Sequence, residues 1–401
     1  MTGPGGLPPP PRIPPPPRVP PPPPLRVGRP PDGPAPPPPV GEPVGLAELV
    51  SERAIVVCCG SGGVGKTTVS AAFALEAARR GRRACVVTID PARRLANALG
   101  VGALANTPRR LEGDWPGELW ALMLDPKRTF DELVAKYASS PEQAEGILAN
   151  RLYRNLTGAL SGTQEYMAME KLYELSEEGR FDLVVVDTPP TRNALDFLDA
   201  PRRLTRFLGH RLFQLLLMPT RAYLRAVSVA TQALLRTISK VAGAEIVNDA
   251  VAFFQAFEGM EEGFRVRAEH MRRLLARRTT AFVLVTSPRS DTVEEAGWFA
   301  DKLNESGLAV EGLVVNRVHP AFGADGPLPD VPPAGALGAL IENLRGYQAV
   351  NHREEDAFAA LVTQVAPSPV ARVPLLDVDV HDLEGLGLVA SHVFAAPGVP
   401  R

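Results

Sequence analysis

The chain has 401 residues, of which 45% are hydrophobic and 22% charged, with a formal net charge of -2. This suits one large globular α/β domain, or such a domain with a sizeable insertion, and the near-neutral balance argues against a general nucleic-acid binder, which carries a basic excess. No apolar stretch reaches the ~18 residues of a membrane span and residues 1–43 do not read as a signal peptide, so a soluble cytoplasmic protein is expected.

The 42 prolines are concentrated at the start of the chain. Residues 1–43 cannot build a core and favour extended polyproline II, so a disordered arm is expected ahead of a folded domain over 44–401. Cys58, Cys59 and Cys85 all sit in apolar runs, where buried thiols are the plain reading; none is spaced for zinc.

Folded sequence begins near residues 44–52. The stretch 54–68, AIVVCCGSGGVGKTT, then combines a strand-like apolar run, a glycine-rich break and a helix start. Gly60, Ser61, Gly62, Gly63, Val64 and Gly65 form a loop whose backbone N–H groups can wrap a polyphosphate, with Lys66, Thr67 and Thr68 at the head of the helix. In this pattern the lysine reaches the β- and γ-phosphates of a nucleotide, and the Thr67 hydroxyl binds Mg2+.

An Ala-rich helix over 69–80 follows, stopped by Gly81, and residues 83–90 read as a second strand ending in Asp90. The order strand, loop, helix, strand is that of a parallel sheet. A third strand is expected over 119–124, then helical patterns over 129–178. Residues 181–187, FDLVVVD, are the most strand-like run and end in a carboxylate. Ligands of open α/β sheets bind at the carboxyl ends of the strands, so Asp187 is expected to face the phosphate loop and hold Mg2+, directly or through water.

From 201 to 278 the pattern is wholly helical, which predicts an inserted helical subdomain; its apolar faces suit either ordinary packing or a groove for an apolar client. Strands are expected again over 280–286 and 309–316. A long helix over 335–365, a short strand over 372–376 and a final helix over 383–395 complete the prediction. The fold class is α/β: a P-loop NTPase parallel sheet flanked by helices.

Several ordered motifs resemble those of the ArsA-like ATPases, the arsenical-pump and tail-anchored-protein-targeting members of the deviant Walker A group. GSGGVGKTT resembles the family's GKGGVGKTT. Asp90-Pro91-Ala92 resembles the opening of its switch I, and Asp187-Thr188-Pro189-Pro190-Thr191 its switch II. Leu124-Asp125-Pro126 is similar to a family strand end, Val315-Asn316-Arg317 to the VNQ whose Asn contacts adenine, and the run from Val373 to Leu376, with Pro374, to the loop that covers the base. The resemblance implies a nucleotide-sandwich dimer that binds ATP and Mg2+, with Lys66, Asp187, Asn97 and Asp90 in the catalytic set.

Three departures qualify the resemblance. The lysine that crosses the family's dimer to the partner's phosphates is Ser61 here, which supplies no cation. The switch I aspartate that positions the attacking water falls on Asn97, and no acidic residue lies between Asp90 and Glu112. The zinc-binding Cys-x-x-Cys after Asn316 is missing, as are the arsenite-binding cysteines, so no zinc is expected. These losses imply an ATPase with slow or partner-dependent hydrolysis, working as a homodimer or beside a related subunit, and coupled to a membrane-protein partner or an apolar client. Arg93 and Arg94 are the nearest cations to stand in for the lost lysine. A non-hydrolysing nucleotide-binding scaffold is the first alternative and a partition-type ATPase the second, the latter disfavoured by the charge balance; no acceptor pocket points to a P-loop kinase.

Overall fold

A computed structural model describes residues 45–90, 93–151, 153, 163–189, 200, 253, 260–322 and 335–395. The proline-rich arm expected over 1–43 lies outside the described residues, as does most of the helical insertion expected over 201–278.

The described chain builds one eight-stranded sheet. Its strands are β1 (Ile55–Cys59), β2 (Arg83–Thr88), β3 (Arg109–Leu111), β4 (Glu118–Met123), β5 (Leu183–Asp187), β6 (Thr280–Thr286), β7 (Val310–Val318) and β8 (Val370–Pro374). They lie in the order β3-β4-β2-β5-β1-β6-β7-β8, and all neighbours are parallel except the β3–β4 edge pair. The inner strands β1, β5 and β6 are buried at every residue. Both faces of such a sheet must be covered, which is why these strands read as continuous apolar runs rather than alternations.

Two cores result, one on each face. Ile55, Val57 and Cys59 of β1 point into one, and Val56 and Cys58 into the other, as the two-residue period of a strand requires. The helices are α1 (Leu46–Glu52), α2 (Lys66–Arg79), α3 (Arg94–Ala98), α4 (Pro126–Tyr137), α5 (Pro141–Ala149), α6 (Thr163–Glu177), α7 (Glu261–Leu275), α8 (Ser290–Glu305), α9 (Ala336–Val365) and α10 (Leu383–Val393). Helix α2 is Ala-rich because it is buried on nearly every side, between the sheet and α10. Phe73 of α2 meets Phe394, just past α10, edge to face at 4.9 Å.

Three sequence expectations shift. The second strand ends at Thr88, so Asp90 lies beyond it rather than at its tip; the third strand runs over Glu118–Met123, and β3 is an edge strand the pattern did not announce. The first long helix begins at Lys66, where the sequence puts its head, because the phosphate loop hands over directly into it. Of the expected helical block, α7 is described; Phe264, Ala268, Met271 and Leu274 are buried, and Arg267 forms an ion pair with the buried Glu170 of α6.

Candidate active site

The loop between β1 and α2 needs glycine for two reasons that can be measured. At Gly60, φ is +147° and a Cβ would sit 2.0 Å from the Val285 carbonyl oxygen of β6; at Gly65, φ is +93° and a Cβ would sit 2.2 Å from Nδ2 of Asn316. The loop is thus pressed against β6 and the end of β7, and only a residue without a side chain fits. Lys66 is 5% exposed, and its Nζ donates to the carbonyl oxygens of Gly60 (2.8 Å) and Ser61 (2.6 Å), so the ammonium is held within the curl of the loop. Burial lowers its pKa, opposed by the charge of Asp187.

Asp187 ends β5, in register with Cys58 of β1 and Thr88 of β2. This register brings three oxygens together. Oδ2 of Asp187 accepts hydrogen bonds from the Thr67 hydroxyl and the Thr88 hydroxyl, each at 2.8 Å. Oδ1 is buried and has no hydrogen-bond partner among the described residues. Burial pushes the Asp187 carboxyl up from 3.8 to about 6, against the opposing pull of the two hydroxyls and of Lys66. A buried carboxylate with an uncommitted oxygen, one hydrogen bond from a threonine hydroxyl, is the donor set that a hard, oxygen-seeking cation requires. The residues therefore fit Mg2+, which Thr67 and Asp187 would hold while Thr88 fixes the carboxylate.

A cleft of about 280 Å3 opens beside the loop, lined by Gly63, Gly65, Lys66, Thr67 and Thr68 on its floor. Asp90, Arg94 and Asn97 line one side; Arg94 pairs with Asp90 at 3.2 Å, and Asn97 is exposed on the short helix α3. Arg93, next to them, takes a left-handed φ of 53°. Thr188 lines the cleft while its hydroxyl donates to the Cys58 carbonyl at 2.8 Å, pinning the chain just after Asp187. Ala98, Arg317 and Val380 complete the lining.

Of the residues singled out by sequence, Gly63, Gly65, Lys66, Thr67, Thr68, Asp90 and Asn97 come together on this cleft. Gly60, Ser61, Gly62 and Val64 shape the loop without lining it. Ser61 is buried, its hydroxyl without a hydrogen-bond partner among the described residues. Asn316 lies behind the loop, its amide donating to the Val64 carbonyl at 2.8 Å, and Pro374, at the end of β8, is outside the lining. Sequence reasoning missed Thr88 and Val380, and it named Thr188 and Arg317 within motifs but gave neither a role of its own. A polar residue closing the strand beside Asp187 is the signal that would have found Thr88. The three thiols are buried, and burial pushes Cys58 up to about 12 and Cys59 and Cys85 higher still.

Comparison with known proteins agrees with this geometry. The chain is 26% identical to the ATPase ARSA1 of Chlamydomonas reinhardtii, over 86% of this chain and 42% of that protein. It is 26% identical to an arsenical pump-driving ATPase of Acidiphilium multivorum, over 84% of this chain and 49% of that one. An uncharacterized protein of Streptomyces coelicolor is 34% identical over 65% of this chain and 61% of its own length. The chain spans about half the length of the curated relatives it matches. Residues 53–327, well over half of the sequence and including the whole phosphate loop, Asp187 and Asn316, match the model of the anion-transporting ATPases. The chain belongs to that family, the ArsA ATPases.

Proposed function

We propose that the protein is a Mg2+-dependent ATP-binding switch whose hydrolysis is slow alone and set by a partner. The observation that carries this reading is the junction of Lys66, Thr67, Asp187 and Thr88 at the mouth of the loop. Lys66 lets go of the Gly60 and Ser61 carbonyls to meet the β- and γ-phosphates, while the loop N–H groups and the start of α2 cradle them. Thr67 and Asp187 hold the cation. Bound there, Mg2+ supplies the charge neutralisation that phosphoryl transfer needs. Asn97, on the cleft wall, orients the attacking water through its side-chain oxygen but takes no proton from it. The carboxylate of Asp90 is committed to Arg94, so hydrolysis rests on positioning and charge rather than on a free base.

The reading includes a dimer, with a second copy or a related subunit, and a cytoplasmic setting; no helix among the described residues is long and apolar enough to cross a membrane. Relatives named as arsenical pump-driving ATPases support an energy-coupling role, with a membrane protein or an apolar client as the recipient. Arsenite capture by thiolates is not part of it, since the three cysteines are buried and held protonated. A second reading, a nucleotide-binding scaffold that never hydrolyses, is favoured by Asn97 standing where the family has an acid and by Ser61, which brings no charge to the cleft.

Calorimetric binding of Mg-ATP to the wild type and to Lys66→Ala tests the assignment. Binding is expected in the first and loss of measurable affinity in the second; comparable affinity in both would remove the loop from the site. Single-turnover phosphate release then separates switch from scaffold.

A further inference from the structure

Three cations line the cleft among the described residues, Lys66, Arg94 and Arg317, and they are held differently. Lys66 is curled into the phosphate loop, and Arg317, from β7, donates to the Gly63 carbonyl at 3.1 Å. Arg94 follows β2, which lies on the other side of β1 from β7, and its side chain is 56% exposed.

A chain of contacts ties Arg94 to the cation site. Oδ2 of Asp187 accepts from the Thr88 hydroxyl, whose oxygen accepts from the backbone N–H of Asp90 at 3.2 Å; Oδ2 of Asp90 then meets Nη1 of Arg94 at 3.2 Å. Arg94 thus stands on the side of the loop where Thr67 and Asp187 would hold Mg2+, and a nucleotide's Mg2+ bridges its β- and γ-phosphates. Burial is the main cause of the lowered Lys66 pKa, and the Arg94 charge contributes to it, so the two cations feel each other across the cleft. A polyanion between them relieves that repulsion.

The start of α3 suits a ligand better than it suits the helix. Cations at a helix start oppose its dipole and make poor caps, yet α3 opens on Arg94, after Arg93 with a left-handed φ of 53° and no side-chain cap. Local rules are broken in this way where a side chain serves a site rather than its own element. Of the two arginines, Arg94 lines the cleft and Arg93 does not. The ion pair engages one corner of a guanidinium that has five N–H donors, so Asp90 aims the group and leaves its outer edge for an oxyanion.

We propose that Arg94 is a catalytic residue, an arginine supplied from within the chain that contacts the γ-phosphoryl oxygens during hydrolysis, with Asp90 as its positioning residue. In that step the water oxygen bonds to the γ-phosphorus, while the bond to the β–γ bridging oxygen breaks and its electron pair leaves with ADP. One water proton stays on the phosphate and the other passes to solvent; Arg94 keeps its protons and offsets the negative charge. The inference rests on the loop being the ATP site, and its test separates the two.

Single-turnover phosphate release from Mg-ATP is measured for the wild type, Arg94→Ala, Asp90→Asn, the double variant and Lys66→Ala. Calorimetry follows Mg-ADP alone and with aluminium fluoride, whose complex stands in for the phosphoryl group in transfer. Arg94→Ala is expected to release phosphate roughly 100-fold more slowly or worse and to lose the added affinity that aluminium fluoride brings. It should bind Mg-ADP as the wild type does, which also shows that the site is folded. Asp90→Asn should lose less, and the double variant should be no slower than Arg94→Ala; a slower double variant would remove Asp90 from the positioning role. Wild-type release and wild-type affinity with fluoride in Arg94→Ala would overturn the inference, and the ATP site would still stand if Lys66→Ala lost Mg-ADP. Equal losses for Mg-ADP with and without fluoride would also overturn it, by making Arg94 a ligand of the ground state. If Lys66→Ala binds Mg-ADP as the wild type does, both readings fall. A wild type that neither releases phosphate nor gains affinity from fluoride would overturn the inference and leave the scaffold reading.

Discussion

Replacing Asp187 by Asn sets function against stability in a way that can be calculated. With no nucleotide present, the folded protein buries this carboxyl, whose titration is raised from 3.8 to about 6 even after Thr67, Thr88 and Lys66 have pulled it down. The native state therefore holds a proton that the unfolded chain has released between those two values. By linkage, stability attributable to this group is greatest below about pH 4, falls as pH rises to about 6, and is flat beyond. The gap of about two pH units, at about 1.4 kcal/mol each, makes the ionised carboxylate a burden of ~3 kcal/mol at neutral pH. An asparagine side chain there would keep an acceptor oxygen for Thr67 and Thr88 and carry no charge. Asp187→Asn should thus raise the stability of the nucleotide-free protein at pH 7 by up to ~3 kcal/mol and change it little near pH 4, while abolishing Mg-nucleotide binding. Urea unfolding of both proteins across pH 4 to 7.5, without Mg2+ or nucleotide, gives the difference curve and cancels every other titrating group. A variant less stable than the wild type at pH 7, or a difference that does not grow with pH, would refute the account of Asp187 as a buried, poorly compensated acid.

Two other predictions address the catalytic wall and the packing behind the sheet. Asn97→Asp places a carboxylate on the cleft wall and should speed single-turnover ATP hydrolysis roughly tenfold or more; an unchanged rate with nucleotide bound would remove Asn97 from the water-positioning role. Arg267→Met leaves Glu170, which is 2% exposed, buried without its cation and should cost ~3–5 kcal/mol of stability. Adding Glu170→Gln should recover part of that loss, and a single variant as stable as the wild type in urea would show that the pair is solvated in solution.

The sheet and the centre of the site were legible in the sequence for the same physical reason. Strands buried on both faces are apolar throughout, so 55–59, 181–187 and 280–286 stand out, and a carboxylate that closes such a run is unexpected enough to be noticed. Strand β3 was not legible because Arg-Arg-Leu forms an edge of three residues with only Leu111 buried. Thr88 was passed over because the apolar run continues through Ile89, which hides where pairing stops; only the register with Asp187 shows it. The roles of Asn316 and Arg317 depend on where the end of β7 meets the loop. The left-handed turn at Arg317 has no sequence signal, since glycine and asparagine, the usual occupants, are absent from that position.

The order of strands also sets when during synthesis this site can exist. β1, which carries the phosphate loop, is made well before its two neighbours β5 and β6, and the helix that the loop starts is closed over by α10. At about 5–20 residues per second, the wait from β1 to α10 lasts on the order of fifteen seconds to a minute. Until Leu183–Asp187 and then Thr280–Thr286 are made, Ile55–Cys59 is an apolar strand with an open edge, the kind of segment that pairs with the wrong chain. Nucleotide gives no help early, because Asp187 and the β7 residues that brace the loop have not yet been made. The nascent chain should therefore depend on a holding chaperone until β6 emerges, and ribosome-bound chains halted before Thr280 should crosslink to one where chains halted after Val393 do not.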